Sequence, residues 1–143
     1  MKIFVIDASV AAKWVLSDAQ EPFQKKAVSI LREWTDSQIK LIVPDLFWIE
    51  MANILWNAIR RGRCTREVAE TSMNSLRKHK IPTYPSLRLL DSAFDKAVIH
   101  GRSVYDSLYV ALAVESKGEL VTADEKLANA LAGFFPVTWL GAT

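Results

Sequence analysis

Five short apolar runs, at 2–6, 41–43, 81–84, 120–122 and 137–140, alternate with segments whose apolar residues recur at helical spacing. This alternation restricts the fold more than any other feature. Strands separated by helix-length connections pair in parallel, and helices then cover both faces of the sheet. Helices are predicted over 8–16, 22–37, 65–80, 87–99, 103–117 and 124–132, together with a long one from Asp45 to about residue 61. Phe23, Ala27, Ile30, Leu31 and Trp34 set the pattern of the second, with Pro22 suited to its first turn. Asp45 is placed to cap the long helix, and Gly62, Gly101 and Gly118 to end helices. The run at 81–84 contains Pro82 and is followed by Pro85, which confines it to a sheet edge.

The chain has 143 residues, half of them hydrophobic and 24% charged, so a single domain over 1–143 with its own core is expected. No repeat or low-complexity tract interrupts it. The apolar run after Lys2 stops at Asp7, too short for a signal-peptide core, and no stretch approaches the ~20 apolar residues of a membrane span. Cys64 is the only cysteine, which excludes an internal disulfide and a cysteine-cluster metal site and fits a cytoplasmic protein.

Four acids stand where strand gives way to helix, or on a helix able to face such a point: Asp7, Glu50, Asp106 and Asp124. Each aspartate has an ordinary explanation. Asp7 follows the first strand and suits an N-cap. Ser103 to Asp106 fits a capping box before an apolar run, and Thr122 to Glu125 fits another, with Asp124 as an additional first-turn acid.

Glu50 has no such explanation. It lies mid-helix in LFWIEMANILWNAI, where Glu50, Asn53 and Asn57 form one polar stripe at i, i+3 and i+7. That stripe faces either solvent or a wet cleft. Two unit charges ~4 Å apart repel by about 4 kcal/mol at an effective dielectric near 20. A converging set of carboxylates therefore asks for a cation, and hard oxygen ligands suit Mg²⁺ or Mn²⁺. If the four converge, metal-dependent phosphodiester hydrolysis is the chemistry they support.

The phrases VIDASVAAKWVL, PDLFWIEMANIL, SVYDSLYVALA and ELVTADEKLA, in that order, resemble the PIN-domain nucleases, most closely the VapC-type toxins of prokaryotic toxin–antitoxin pairs. The likeness runs from the first strand to near the end of the chain. It implies a three-layer α/β/α sandwich with a central parallel sheet of about five strands and an acidic cleft at their carboxyl ends. It also implies Mg²⁺- or Mn²⁺-dependent endoribonuclease activity, with Asp7, Glu50, Asp106 and Asp124 as the metal-site acids. Ser9, Thr122 and Asn53 match polar positions that support such a site. The likeness further implies a homodimer neutralised by a small antitoxin protein.

Other residues stay open. Lys13, on the first helix, either reaches an RNA phosphate or is a solvated surface lysine. Arg60, Arg61, Arg63 and Arg66 either complement a helix C-terminus or contact an RNA backbone. Net charge is only +2, yet with the four acids set aside 12 acidic residues face 18 basic ones, leaving about +6 on the rest. His79 and His100 lie near helix ends and read as surface residues. Trp48 and Trp56 fall on roughly one side of the long helix, with core packing as the default and an interface as the alternative. Two other functions compete: a non-catalytic Mg²⁺-binding acidic module of the receiver kind, and a phosphatase with a strand-end aspartate nucleophile. The latter favours a second acid two residues after Asp7, where Ser9 stands.

Overall fold

The computed structural model describes residues 1–16 and 22–143. Its elements run β1 (Lys2–Ile6), α1 (Ala8–Val15), α2 (Gln24–Thr35), β2 (Ile39–Pro44), α3 (Leu46–Arg60), α4 (Arg66–Lys78), β3 (Thr83–Tyr84), α5 (Ser86–His100), α6 (Val104–Ser116), β4 (Glu119–Thr122), α7 (Glu125–Leu131) and β5 (Val137–Trp139). A short 3₁₀ turn, Leu140–Ala142, follows. The five strands pair in parallel in the order β3-β2-β1-β4-β5, with β3 at an edge as its prolines require.

That order decides where a ligand can sit. The chain steps outward from β1 to β2 and β3, then returns to lay β4 along the other side of β1. Right-handed crossovers put the helices of the two halves on opposite faces, giving the expected three-layer α/β/α sandwich. The direction reverses between β1 and β4, and a crevice opens there beyond the strands' carboxyl ends. Ile6 pairs with Val121 at this point, so the residues just after the two strands become neighbours.

The core fills the space between these layers. Val5, Ile6, Leu41, Val43, Phe47, Met51, Leu112 and Leu120 are fully buried. Helix α6 is apolar around its circumference because it lies between the sheet and α5, and every residue from Ser107 to Ala113 is buried. No helix among the described residues is long and apolar enough to cross a membrane.

Several local expectations need correction. Pro22 stands in a turn, and α2 begins at Gln24 after a left-handed Phe23. Asp45 does not cap its own helix: Asp45 Oδ1 accepts from Ser86 N (3.1 Å), while Ser86 Oγ accepts from Leu46 N (3.3 Å). Two helix starts from distant parts of the chain thus cap each other. Lys117, not Gly118, takes the left-handed position after α6. Gly118 is needed for another reason, since a Cβ there would lie 2.7 Å from Ile3 O. Trp56 does not pack in the core but is 54% exposed, with the Arg60 guanidinium 4.6 Å from its ring centroid. Trp48 is half-buried, packs edge-on against Phe47 and donates to Thr83 Oγ1 (3.0 Å).

Candidate metal centre

Asp7 follows β1 in an extended conformation at the N-cap of α1, yet its carboxylate makes no capping bond. Each oxygen instead accepts from a hydroxyl: Oδ1 from Ser9 and Oδ2 from Thr122. Both hydroxyls accept in turn from backbone N–H groups after β4. Ser9 Oγ takes Ala123 N at 3.1 Å, and Thr122 Oγ1 takes Asp124 N at 3.0 Å. Because each oxygen already receives an N–H, its own proton is directed at Asp7. The ends of β1 and β4 are thereby tied together through the carboxylate. Asp7 is only 9% exposed, and burial pushes its pKa up to about 6. The two hydroxyls pull it down, and the negative charge of Glu50 raises it again.

Glu50 projects from α3, where its helix phase turns it, half-buried, toward the crevice rather than fully into solvent. It accepts from the hydroxyl of Tyr109 on α6. Its pKa is raised, first by burial and then by Asp106, against the Tyr109 hydrogen bond. Tyr109 is almost wholly buried, and burial with the Glu50 charge lifts its pKa far above the usual phenol value. It remains a proton donor throughout the physiological range. The sequence reading overlooked Tyr109, although a signal existed. It lies three residues after Asp106, on the same face of an otherwise apolar helix, and a buried phenol needs a partner.

Asp106 stands in the first turn of α6, whose cap is Ser103 Oγ accepting from Asp106 N (3.1 Å). Burial raises the Asp106 pKa most, Arg102 lowers it and Asp124 raises it. Asp124 is itself the N-cap of α7, its Oδ1 accepting from Leu127 N (3.1 Å). The expected box opened by Thr122 is therefore replaced by a cap from Asp124, and Thr122 is turned toward Asp7. The Arg102 guanidinium, also overlooked, lies 3.3 Å from Asp106 Oδ2 and 3.7 Å from Asp124 Oδ2.

All four acids line one cleft of about 450 Å³, with Ser9, Asn53, Tyr109 and the exposed Ile49 and Tyr105 on its walls and rim. Asn53 lies on the cleft side of α3, whereas Asn57 accepts from Arg60 (3.3 Å) and is not part of the lining. Lys13 meets neither of its expectations: at 5% exposure it is buried, and it does not line the cleft. His79 is exposed and stacks near Trp34, while His100 is half-buried against Phe134 and Phe135. In the basic run, Arg60 and Arg61 close α3 and Arg66 pairs with Glu70 at 2.8 Å. A slightly larger depression of about 520 Å³, between α3 and α4, holds none of the four acids and has no comparable chemistry.

The donor set suits a hard divalent cation. It consists of carboxylates, hydroxyls and the Asn53 amide, and among the described residues no lysine or arginine lines the cleft. The repulsions link Asp7 to Glu50, Glu50 to Asp106, and Asp106 to Asp124, so the four acids share one field. Among the described residues no three acids close around a single point, so gathering them about an ion requires side-chain rotation. Two of the acids, Asp106 and Asp124, contact the guanidinium of Arg102.

Comparison with known proteins gives these residues a family setting. The model of the PIN domain matches residues 4–131. Ribonuclease VapC3 of Pyrobaculum aerophilum is 34% identical over 129 residues, covering 87% of this chain and 92% of that protein. The crystal structure of PAE2754 from the same organism superposes with a TM-score of 0.71 at 20% identity, over 99% of this chain and 91% of that one. VapC20 of Mycobacterium tuberculosis, described as a toxin cleaving the sarcin–ricin loop, superposes at 0.64 with 17% identity, over 92% of this chain and 95% of its own.

Proposed function

The chain belongs to the PIN-domain family, among the VapC ribonucleases, and on that premise we propose that it is a Mg²⁺- or Mn²⁺-dependent endoribonuclease serving as the toxin of a toxin–antitoxin pair. One observation carries the proposal. Four carboxylates from four separate segments line one cleft at the place where the sheet order reverses, with burial and mutual repulsion raising three of their pKa values.

In this reading Asp7, Glu50, Asp106 and Asp124 hold the cation. When bound, a divalent ion supplies a nucleophile at neutral pH and neutralises charge on the transferring phosphoryl group. The chain's residues prepare the place for it. Ser9 and Thr122 each donate to one oxygen of Asp7, and each oxygen keeps a lone pair with which it would meet the ion. Tyr109 anchors one oxygen of Glu50 and leaves the other available. Asn53, one helical turn from Glu50, presents an amide to a phosphate or to the glutamate itself. Neither histidine lines the cleft, and among the described residues lining it these carboxylates are the bases present.

The receiver-like and phosphatase alternatives lose ground to the family match and to Ser9, which acts as a donor to Asp7 where a phosphatase favours a second acid. The partners follow from the same premise: RNA as substrate, a cognate antitoxin protein, and a second copy of the chain.

The test is cleavage of mixed RNAs by purified protein with Mg²⁺, Mn²⁺ or chelator, beside Asp7→Asn and Asp106→Asn. Metal-dependent cleavage that falls by at least about a hundredfold in both variants supports the proposal. Equal cleavage by all three proteins, or full cleavage in chelator, would falsify it.

A further inference from the structure

The four acids of the cleft are not compensated alike. The inner pair, Asp7 and Glu50, receives hydrogen bonds from neutral hydroxyls: Ser9, Thr122 and Tyr109. The outer pair, Asp106 and Asp124, is bridged by a full positive charge. Arg102 Nη2 lies within 4 Å of one carboxylate oxygen of each. The guanidinium is confined rather than waving in solvent. Its side chain is 26% exposed, and its Nε is buried without a hydrogen-bond partner among the described residues. A buried N–H left unmade is costly, so a second attraction must hold the group where it is. The two carboxylates are that attraction.

Arginine keeps its charge at every physiological pH and has only donors to offer. It therefore sets a positive charge beside oxygen atoms that a divalent ion would take, through a hydrogen bond at Asp106 and a longer ion pair at Asp124. On Asp124, Oδ1 already accepts from Leu127 N at the cap of α7, so Oδ2 is the less engaged oxygen, and it is the one beside the guanidinium. The Arg102 contact to Asp106 likewise falls on Oδ2.

We propose that Arg102 is a resident counter-cation of this site that competes with the divalent ion for Asp106 and Asp124 and so weakens metal binding in the free protein. The inference rests on the reading of the four acids as a metal site. It differs from a purely supportive role, in which the guanidinium holds the two carboxylates in place for the ion. Support predicts that removing Arg102 weakens metal binding, and competition predicts the reverse.

The experiment measures Mn²⁺ affinity directly, by calorimetry or by the electron paramagnetic resonance of free Mn²⁺, on the full chain without RNA. Arg102→Gln is expected to bind Mn²⁺ at least about tenfold more tightly than the wild type, since a unit charge within 4 Å of the ligands has been removed. Arg102→Lys, which keeps the charge without the planar fork and lowers the risk of misfolding, is expected to fall between the two. Asp106→Asn reports whether the ion measured is at this site, and loss of affinity there is the expected result. Unchanged or weaker binding by Arg102→Gln, with wild-type binding sensitive to Asp106→Asn, overturns the competition and leaves the site standing. Absence of Mn²⁺ binding in every protein, or wild-type binding indifferent to Asp106→Asn, overturns the metal site and the competition together.

Discussion

The hydroxyl of Tyr109 donates to the carboxylate of Glu50 across the gap between α6 and α3. The pair joins two helices from opposite faces of the sheet at the mouth of the crevice, and it fixes the one acid that no helix start accounts for. Tyr109→Phe keeps the buried ring and deletes only the donor. Glu50 then loses the interaction that lowers its pKa, while burial and Asp106 continue to raise it. The expected outcome is RNA cleavage slowed about tenfold at neutral pH, in line with a lost charge-assisted hydrogen bond of about 1.5 kcal/mol, with a smaller loss at higher pH. Cleavage rates across pH 6 to 9 check this, and a uniform loss across that range would show that Tyr109 acts on packing rather than on Glu50.

Asp7 gives a prediction in the metal-free protein. Its pKa is raised by folding, from 3.8 to about 6, so the folded state binds this proton more tightly than the unfolded state. Stability from this group is thus greatest below about pH 4, falls as pH rises toward about 6, and stays low above it. The full penalty is about 3 kcal/mol, from roughly two pKa units at about 1.4 kcal/mol each. Asp7→Asn escapes that penalty but surrenders one hydroxyl bond, since an amide offers a single acceptor, at about 1 kcal/mol. In chelator at pH 8 the variant is expected to be about 2 kcal/mol more stable than the wild type, and the advantage should vanish near pH 4. Urea denaturation at the two pH values decides, and a wild type more stable at pH 8 contradicts the assignment. Added Mn²⁺ should stabilise only the wild type, by mass action on the folded state.

Much of the architecture was legible because it follows from periodicity. The buried runs ending at Ile6, Pro44 and Thr122, separated by helical segments, allowed a parallel sheet and little else. The site was legible only in combination. Asp106 and Asp124 do serve helix starts, as their sequence contexts suggested, yet they line the cleft as well. Tyr109 and Arg102 stayed hidden for a physical reason. Their roles depend on which residue of a distant segment lies opposite, and local pattern does not carry that information. Asp45 and Lys13 misled in the same way: one caps a helix 41 positions away, and the other is buried despite its charge.

Thr122 tests whether the tie between β1 and β4 is structural, catalytic or both. It is wholly buried, donates to Asp7 and accepts from Asp124 N, so one hydroxyl serves the central acid and the turn that carries the outer one. Thr122→Val is close to isosteric but replaces that hydroxyl with a methyl group, leaving a carboxylate oxygen and an N–H unpaired. The cost is expected to be about 2–4 kcal/mol of unfolding free energy, from two groups at about 1–2 kcal/mol each. Thr122→Ser keeps the oxygen and loses one methyl, at about 1 kcal/mol. The two variants separate the roles. If the hydroxyl also aims Asp7, Thr122→Ser should retain most RNA cleavage at a temperature where both variants are folded, and Thr122→Val should lose it. Equal cleavage by the two would confine Thr122 to stability.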